Sequence, residues 1–145
     1  VHNGIIENHD ELRAALQAKG YVFESQTDTE VIAHLVDSLY DGDVFAALQA
    51  AVKQLHGAYA LAVFHKDEPH RVVGARAGSP LVLGVGTEGE HFLASDAMAL
   101  AGVTDQIVYL EEGDLVDLQM GRYWVADANG RSLDATQRPV RTVHA

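Results

Sequence analysis

"YALAVF", residues 59–64, is apolar at every position and is followed directly by His65-Lys66-Asp67. A strand with one wetted face alternates apolar and polar residues, so a strand apolar on both sides must be covered on both. This run therefore asks for one layer above it and another below. The sequence on either side supplies candidates for both.

Before the run, the pattern is helical. Asn8-His9-Asp10-Glu11 has capping-box spacing, with Asn8 as cap and Glu11 placed to reciprocate, and Leu12 and Leu16 carry an apolar face as far as Gly20. Thr27-Asp28-Thr29-Glu30 repeats the box ahead of Ile32, Leu35, Val36 and Leu39, which share one stripe. Asp41-Gly42 breaks that helix, Asp43 caps a third, and Phe45, Leu48, Val52 and Leu55 recur at helical spacing. Between the first two helices, Tyr21 to Ser25 alternates weakly in strand-forming residues and predicts a short strand.

After the run, strands are predicted over 72–77, 81–85, 91–94, 106–110, 114–119 and 123–128, with one helical turn at 95–100 and a turn at Asn129-Gly130. From about residue 132 the pattern fades. Helices followed by mostly antiparallel strands predict an α+β layered fold.

The 145 residues are 48% hydrophobic, enough for one core. A formal charge of −11 and a pI near 4.9 speak against a nucleic-acid or anionic membrane surface and leave small molecules and other proteins as partners. No apolar run approaches the roughly 20 residues of a membrane span, and the start does not resemble a signal peptide, so a soluble cytoplasmic protein is expected. There is no cysteine, which removes disulfides, thiolate metal sites and a thiol nucleophile from these residues.

Several motifs invite chemistry. Gly84-Val85-Gly86-Thr87-Glu88-Gly89 matches the dinucleotide fingerprint, but a strand follows it where the fingerprint needs a helix, so it reads as a hairpin turn and no cofactor is expected. None of the eight histidines pairs with another at metal-ligand spacing on a helix, and His9, His65, His70 and His144 read as solvent-facing. Glu111-Glu112-Gly113-Asp114 could hold a hard cation but reads better as a solvated turn; no metal is expected. Asp28, the first residue of its helix beside the cap Thr27, is either a fixed carboxylate suited to an ammonium group or an acid that serves only the helix dipole. Asn3-Gly4, read as the end of a short strand, either offers a side-chain amide and a backbone N–H to a developing oxyanion or merely punctuates a loop.

"VHNGIIENHDELR", "SQTDTEVIAHLV", "LHGAYALAV", "ARAGSPLVLGVG", "FLASDAMAL" and "YLEEGDLVDL" together resemble the glutaminase domain of the glutamine–fructose-6-phosphate aminotransferase family, in order and across nearly the whole chain. The resemblance implies a four-layer αββα N-terminal-nucleophile fold of the class II glutamine amidotransferases, here incomplete at its N-terminus, over residues 1–131. Residues 132–145 would be the end of that domain or the start of a linker. It implies hydrolysis of glutamine and delivery of ammonia to a sugar-isomerase domain of a parent chain, for conversion of fructose 6-phosphate to glucosamine 6-phosphate. By position, Asn3 and Gly4 match the oxyanion hole, and Asp28 matches the carboxylate that holds the substrate's α-amino group. The family's nucleophile is an N-terminal cysteine, absent here, as is the family's segment before Asn-Gly that grips the glutamine carboxylate. The chain alone is therefore expected to be inactive and, with uncovered edges and faces, to self-associate. A non-catalytic module of the same fold, or a portion of another class II amidotransferase, would fit the same residues.

Overall fold

A computed structural model describes residues 2–143, the side chain of Asn3 excepted. Strand β1 (His2–Ile6) leads into three helices, α1 (His9–Ala18), α2 (Asp28–Leu39) and α3 (Val44–Val52). Then come β2 (Gly57–Val63), β3 (Val72–Ala77), β4 (Val82–Val85), β5 (His91–Ala94), a 3-10 turn (Ala97–Leu100), β6 (Gln106–Tyr109), β7 (Leu115–Gln119), β8 (Arg122–Ala126), β9 (Ser132–Leu133) and β10 (Val140–Thr142). They form two antiparallel sheets, a six-stranded one in the order β1-β2-β3-β7-β8-β9 and a four-stranded one in the order β10-β6-β4-β5.

The doubly apolar run lies in β2 and continues to Phe64, and each of its faces has a different neighbour. Tyr59 and Leu61 join Ile6, Val73, Ala75 and Leu115 against the helices, whose stripes contribute Leu12, Leu16, Val31, Ile32, Leu35, Val36, Val44, Ala47, Leu48 and Ala51. Ala60, on the other face, packs with Val116, Leu118 and Val125 against Leu81, Leu83, Val108 and Leu110 of the second sheet. Full burial of each Leu, Ile or Val contributes about 1.5–3 kcal/mol, so these two cores carry most of the stabilisation. The sheets close tightly at Gly74, where a Cβ would come within 2.9 Å of Leu93 Cδ1 and 3.1 Å of Val116 Cγ1. The outer face of the second sheet, Val82, Phe92, Ala94 and Ile107, is covered by Ala97 and Leu100 of the 3-10 turn with Val143. The layers are thus helix, sheet, sheet and, among the described residues, this single short turn.

Local expectations fare unevenly. Thr27 caps α2, accepting from Glu30 N–H at 3.3 Å, and Asp43 caps α3, accepting from Phe45 and Ala46. Gly84 to Gly89 closes the β4–β5 hairpin, with Gly86 N–H donating to Glu90 O at 2.8 Å. Tyr21 to Ser25 is not a strand. It pairs with no strand among the described residues, and its aromatic residues pack instead on α2, with the Tyr21 and Phe23 rings 5.1 and 4.7 Å from that of His34.

Asn8 sits at the cap position of α1 but does not cap it with its side chain. Its amide reaches across the chain, donating to Gln54 O at 2.7 Å and accepting from His56 N–H at 2.9 Å, so no capping box forms there. The Glu111–Asp114 turn is not simply solvated, because Asp114 is fully buried and forks onto Arg138 at 2.6 and 3.0 Å. His65 is also not solvent-facing: it stacks on Tyr40 with ring centroids 3.7 Å apart. His144 lies outside the described residues.

Candidate functional site

Asn3-Gly4 does not end its strand: β1 runs through both residues and on to Ile6, because Ile6 is fully buried in the helical core and holds the strand in register to that point. Among the described residues β1 is an outer strand, paired on one side only, with Gly4 opposite Tyr59. Gly4 has φ 111°, and a Cβ there would run into the Ala58 carbonyl. Glycine is required on both counts.

The unpaired side of β1 faces the start of α2. Ile6 N–H points away from β2 and donates to Asp28 Oδ2 at 2.9 Å, while the next N–H, of Glu7, turns back to His56 O at 2.6 Å. Antiparallel ladders alternate in this way. Gly4 therefore shares the outward parity of Ile6, two residues further along the same edge.

Asp28 is thus not wholly free to point elsewhere: one carboxylate oxygen ties helix to strand. The other, Oδ1, lies 4.0 Å from His9 Nδ1, and the side chain keeps 20% of its surface accessible. His9 Nδ1 lies 3.2 Å from Asp10 Oδ1. His2, from the beginning of β1, places Nδ1 3.3 Å from Thr29 Oγ1, and burial pushes its imidazole below the usual pKa against the opposing pull of Asp28.

Behind Asp28, the entry to α2 is knotted. Glu30 accepts from Ser25 Oγ at 2.6 Å and from the N–H groups of Glu24 and Ser25, each at 2.8 Å. These donors, the Ser25 hydroxyl first, lower its pKa to about 2. Arg13, buried on α1, donates to Ser25 O at 2.9 Å and lies over the Phe23 ring. The loop that sets Asp28 in place is therefore itself held from α1.

The sequence-predicted residues Gly4 and Asp28 come together on one edge, with the Asn3 backbone between His2 and Gly4. His2 and His9 join them unannounced by the sequence. Periodicity links neither to residue 28, and only the packing of β1 and α1 on α2 does so. A held carboxylate suits a cation, and outward strand N–H groups suit an anion. Among the described residues no set of three His, Asp or Glu gathers to hold a metal.

The fold is similar to part of glutamine phosphoribosylpyrophosphate amidotransferase from B. subtilis, with a TM-score of 0.76 at 24% identity over 88% of this chain and 28% of that one. This is the N-terminal-nucleophile amidotransferase fold. A family model described as "Glutamine amidotransferase domain" matches residues 1–102, and the chain belongs to that family. Relatives named glutamine–fructose-6-phosphate aminotransferase (isomerising) are 67% identical over 97% of the chain in Bordetella pertussis and 54% identical over 92% in Idiomarina loihiensis. The chain spans 23% and 22% of the length of these two relatives.

Proposed function

We propose that the chain is part of the glutamine-hydrolysing domain of a cytoplasmic aminotransferase that makes glucosamine 6-phosphate from fructose 6-phosphate and glutamine. The glutaminase portion is residues 1–131, with 132–145 completing it or leading towards a sugar-isomerase domain of the parent polypeptide. Asn3, through its amide, and Gly4, through its N–H, stabilise the oxyanion formed when a thiolate attacks the glutamine side-chain carbonyl. Asp28 holds the substrate's α-ammonium. The 145 residues contain no cysteine, so the thiol comes from outside them and the chain alone does not turn glutamine over.

The observation that carries this reading is the Ile6–Asp28 hydrogen bond, which fixes a carboxylate to the strand edge that also bears Gly4. Two residues of strand span about 6.6 Å. The α-nitrogen of glutamine is four covalent bonds from its side-chain carbonyl carbon, roughly 5 Å when extended. One molecule of glutamine can therefore reach from the carboxylate to the glycine. A cation-binding carboxylate and outward N–H groups at that separation match its two ends.

The test is glutamine hydrolysis and glucosamine 6-phosphate formation by the full-length polypeptide. Asn3→Ala should lower turnover about 10²- to 10³-fold, as loss of one oxyanion donor does. Asp28→Ala should raise the KM for glutamine about 10- to 100-fold, the worth of a charged hydrogen bond. Wild-type values in both variants would remove the reading. The isolated chain should show no hydrolysis above background.

The isolated chain should also self-associate. Ile5 on the outer strand β1, and Met98 and Val103, which line a cavity of about 590 Å³ formed mainly by the segment 97–105, are 69%, 85% and 56% exposed. Sedimentation at the mass of a single chain at every concentration would exclude this.

A further inference from the structure

The β1 edge is tied to the first turn of α2 twice, and the site reading uses only one of those ties. Ile6 N–H meets Asp28 Oδ2 at 2.9 Å, and His2 Nδ1 meets Thr29 Oγ1 at 3.3 Å. The two ties leave β1 on either side of Gly4 and arrive at consecutive residues of α2. His2 and Ile6 have the same parity on β1, and Ile6 is buried among the helices, so the imidazole stands on the helix-facing side of the strand. Its Nε2 is buried without a partner among the described residues. A half-buried imidazole with one nitrogen occupied and the other dry is poorly placed to carry charge.

We infer that His2 is a positioning residue for the substrate's ammonium group: as a neutral imidazole it holds Thr29, and with it Asp28, against β1, and on protonation it sets a cation beside Asp28 that competes with the substrate. This rests on the reading of Asp28 as the ammonium anchor. The hydrogen bond to Thr29 survives either protonation state, because Oγ1 can donate or accept. What changes is the charge. A proton on His2 offers Asp28 an internal counter-ion where glutamine should supply one, and it repels the incoming ammonium.

The lowered pKa of His2 keeps the neutral form dominant at neutral pH, so the competition sets in on the acid side. The other titratable groups facing Asp28 come from α1: His9, with Nδ1 4.0 Å from Asp28 Oδ1, and Asp10 beside it. His9→Gln is therefore the control that tells an effect of His2 from one of its neighbour on α1.

The experiment is the pH dependence of KM and kcat for glutamine in the full-length polypeptide, for wild type, His2→Ala, His2→Asn, His9→Gln and Asp28→Ala. His2→Ala should raise KM about fivefold at neutral pH with kcat within twofold, the effect of one lost neutral hydrogen bond. His2→Asn, which keeps a polar group for Thr29 but cannot titrate, should restore most of the neutral-pH KM. It should also abolish the rise in KM on the acid side, and His9→Gln should retain that rise. A wild-type KM in His2→Ala, or an unchanged acid limb in His2→Asn, overturns the proposal. An unchanged KM in Asp28→Ala instead overturns the anchor reading beneath it, and the two failures are thereby told apart.

Discussion

Gly4 and Gly20 both have positive φ, 111° and 99°, and differ in what surrounds them. Gly20 ends α1 in open space, so Gly20→Ala should lose only backbone preference, about 1 kcal/mol. At Gly4 the new methyl also collides with the Ala58 carbonyl, a backbone atom that cannot step aside without parting β1 from β2. Gly4→Ala should therefore cost about 3 kcal/mol or more, combining dihedral strain with overpacking. Urea unfolding of the two variants side by side checks this; equal losses would mean that β1 accommodates the methyl. Asn-Gly in isolation predicts a hairpin or a loop as readily as a strand, and the structure adds the reason for the glycine, which is Ala58 across the ladder. The place of Asp28 as the first residue of its helix was legible from the cap Thr27 before it, although Glu30 turns to Glu24 and Ser25 and does not close a box on Thr27 N–H. Its attachment to Ile6 was not, since no local rule relates positions 22 residues apart.

At the scale of elements, the start of α2 is the best-determined junction near the site, and it is sensitive to acid. Glu30 is held at a pKa of about 2, against an ordinary 4.5, by the Ser25 hydroxyl and then the Glu24 N–H, with His34 and Ser25 N–H adding to them. A carboxylate depressed on folding contributes stability that is complete above its unfolded pKa and is lost as pH falls from about 4.5 towards about 2. Glu30→Gln should therefore be less stable than wild type at neutral pH, and thermal denaturation should show the gap closing as pH falls through that window. A gap of constant size would mean that the Glu30 charge contributes nothing and that its hydrogen bonds alone matter. Helix starts at Thr27 and Asp43 were readable because a cap acts on N–H groups two or three residues away. Asn8 misleads by the same logic, since its amide serves residues 54 and 56. Tyr21 to Ser25 misleads because alternation records which side is covered and not whether a sheet or a helix covers it.

For the whole molecule, the two sheets are joined at their far edges by the last stretch of chain, which carries little periodicity of its own. β9 adds to the six-stranded sheet beside β8, β10 adds to the four-stranded sheet beside β6, and the turn between them is shaped by Asp134 accepting from Thr136 and Gln137. Arg138 leaves that turn and lies against the β6–β7 connection. Its Nε and Nη2 fork onto the buried Asp114, its Nη1 lies 2.6 Å from Glu111 Oε2, and Asp114 Oδ2 also accepts from Glu111 N–H at 2.8 Å. Asp114 in turn holds the guanidinium charged beyond its usual range. Such a pair adds little over an apolar substitute, but breaking it strands a charge in the interior at a cost of about 3–5 kcal/mol. Arg138→Met should therefore destabilise by that amount. It should also release β10, seen as faster amide exchange in β6 at Ile107, which faces Arg141 two residues along from Asp105, the acceptor of Val143 N–H. Val108 N–H turns instead to Leu83 of β4 and should be unaffected. Adding Asp114→Asn should recover a large part of the stability, because the uncompensated charge is then gone, while exchange in β6 stays fast because the strap has lost its anchor. Recovery of stability and of slow exchange together would show that the Arg138 side chain does not hold the strap and that β10 is kept in place by its own ladder with β6.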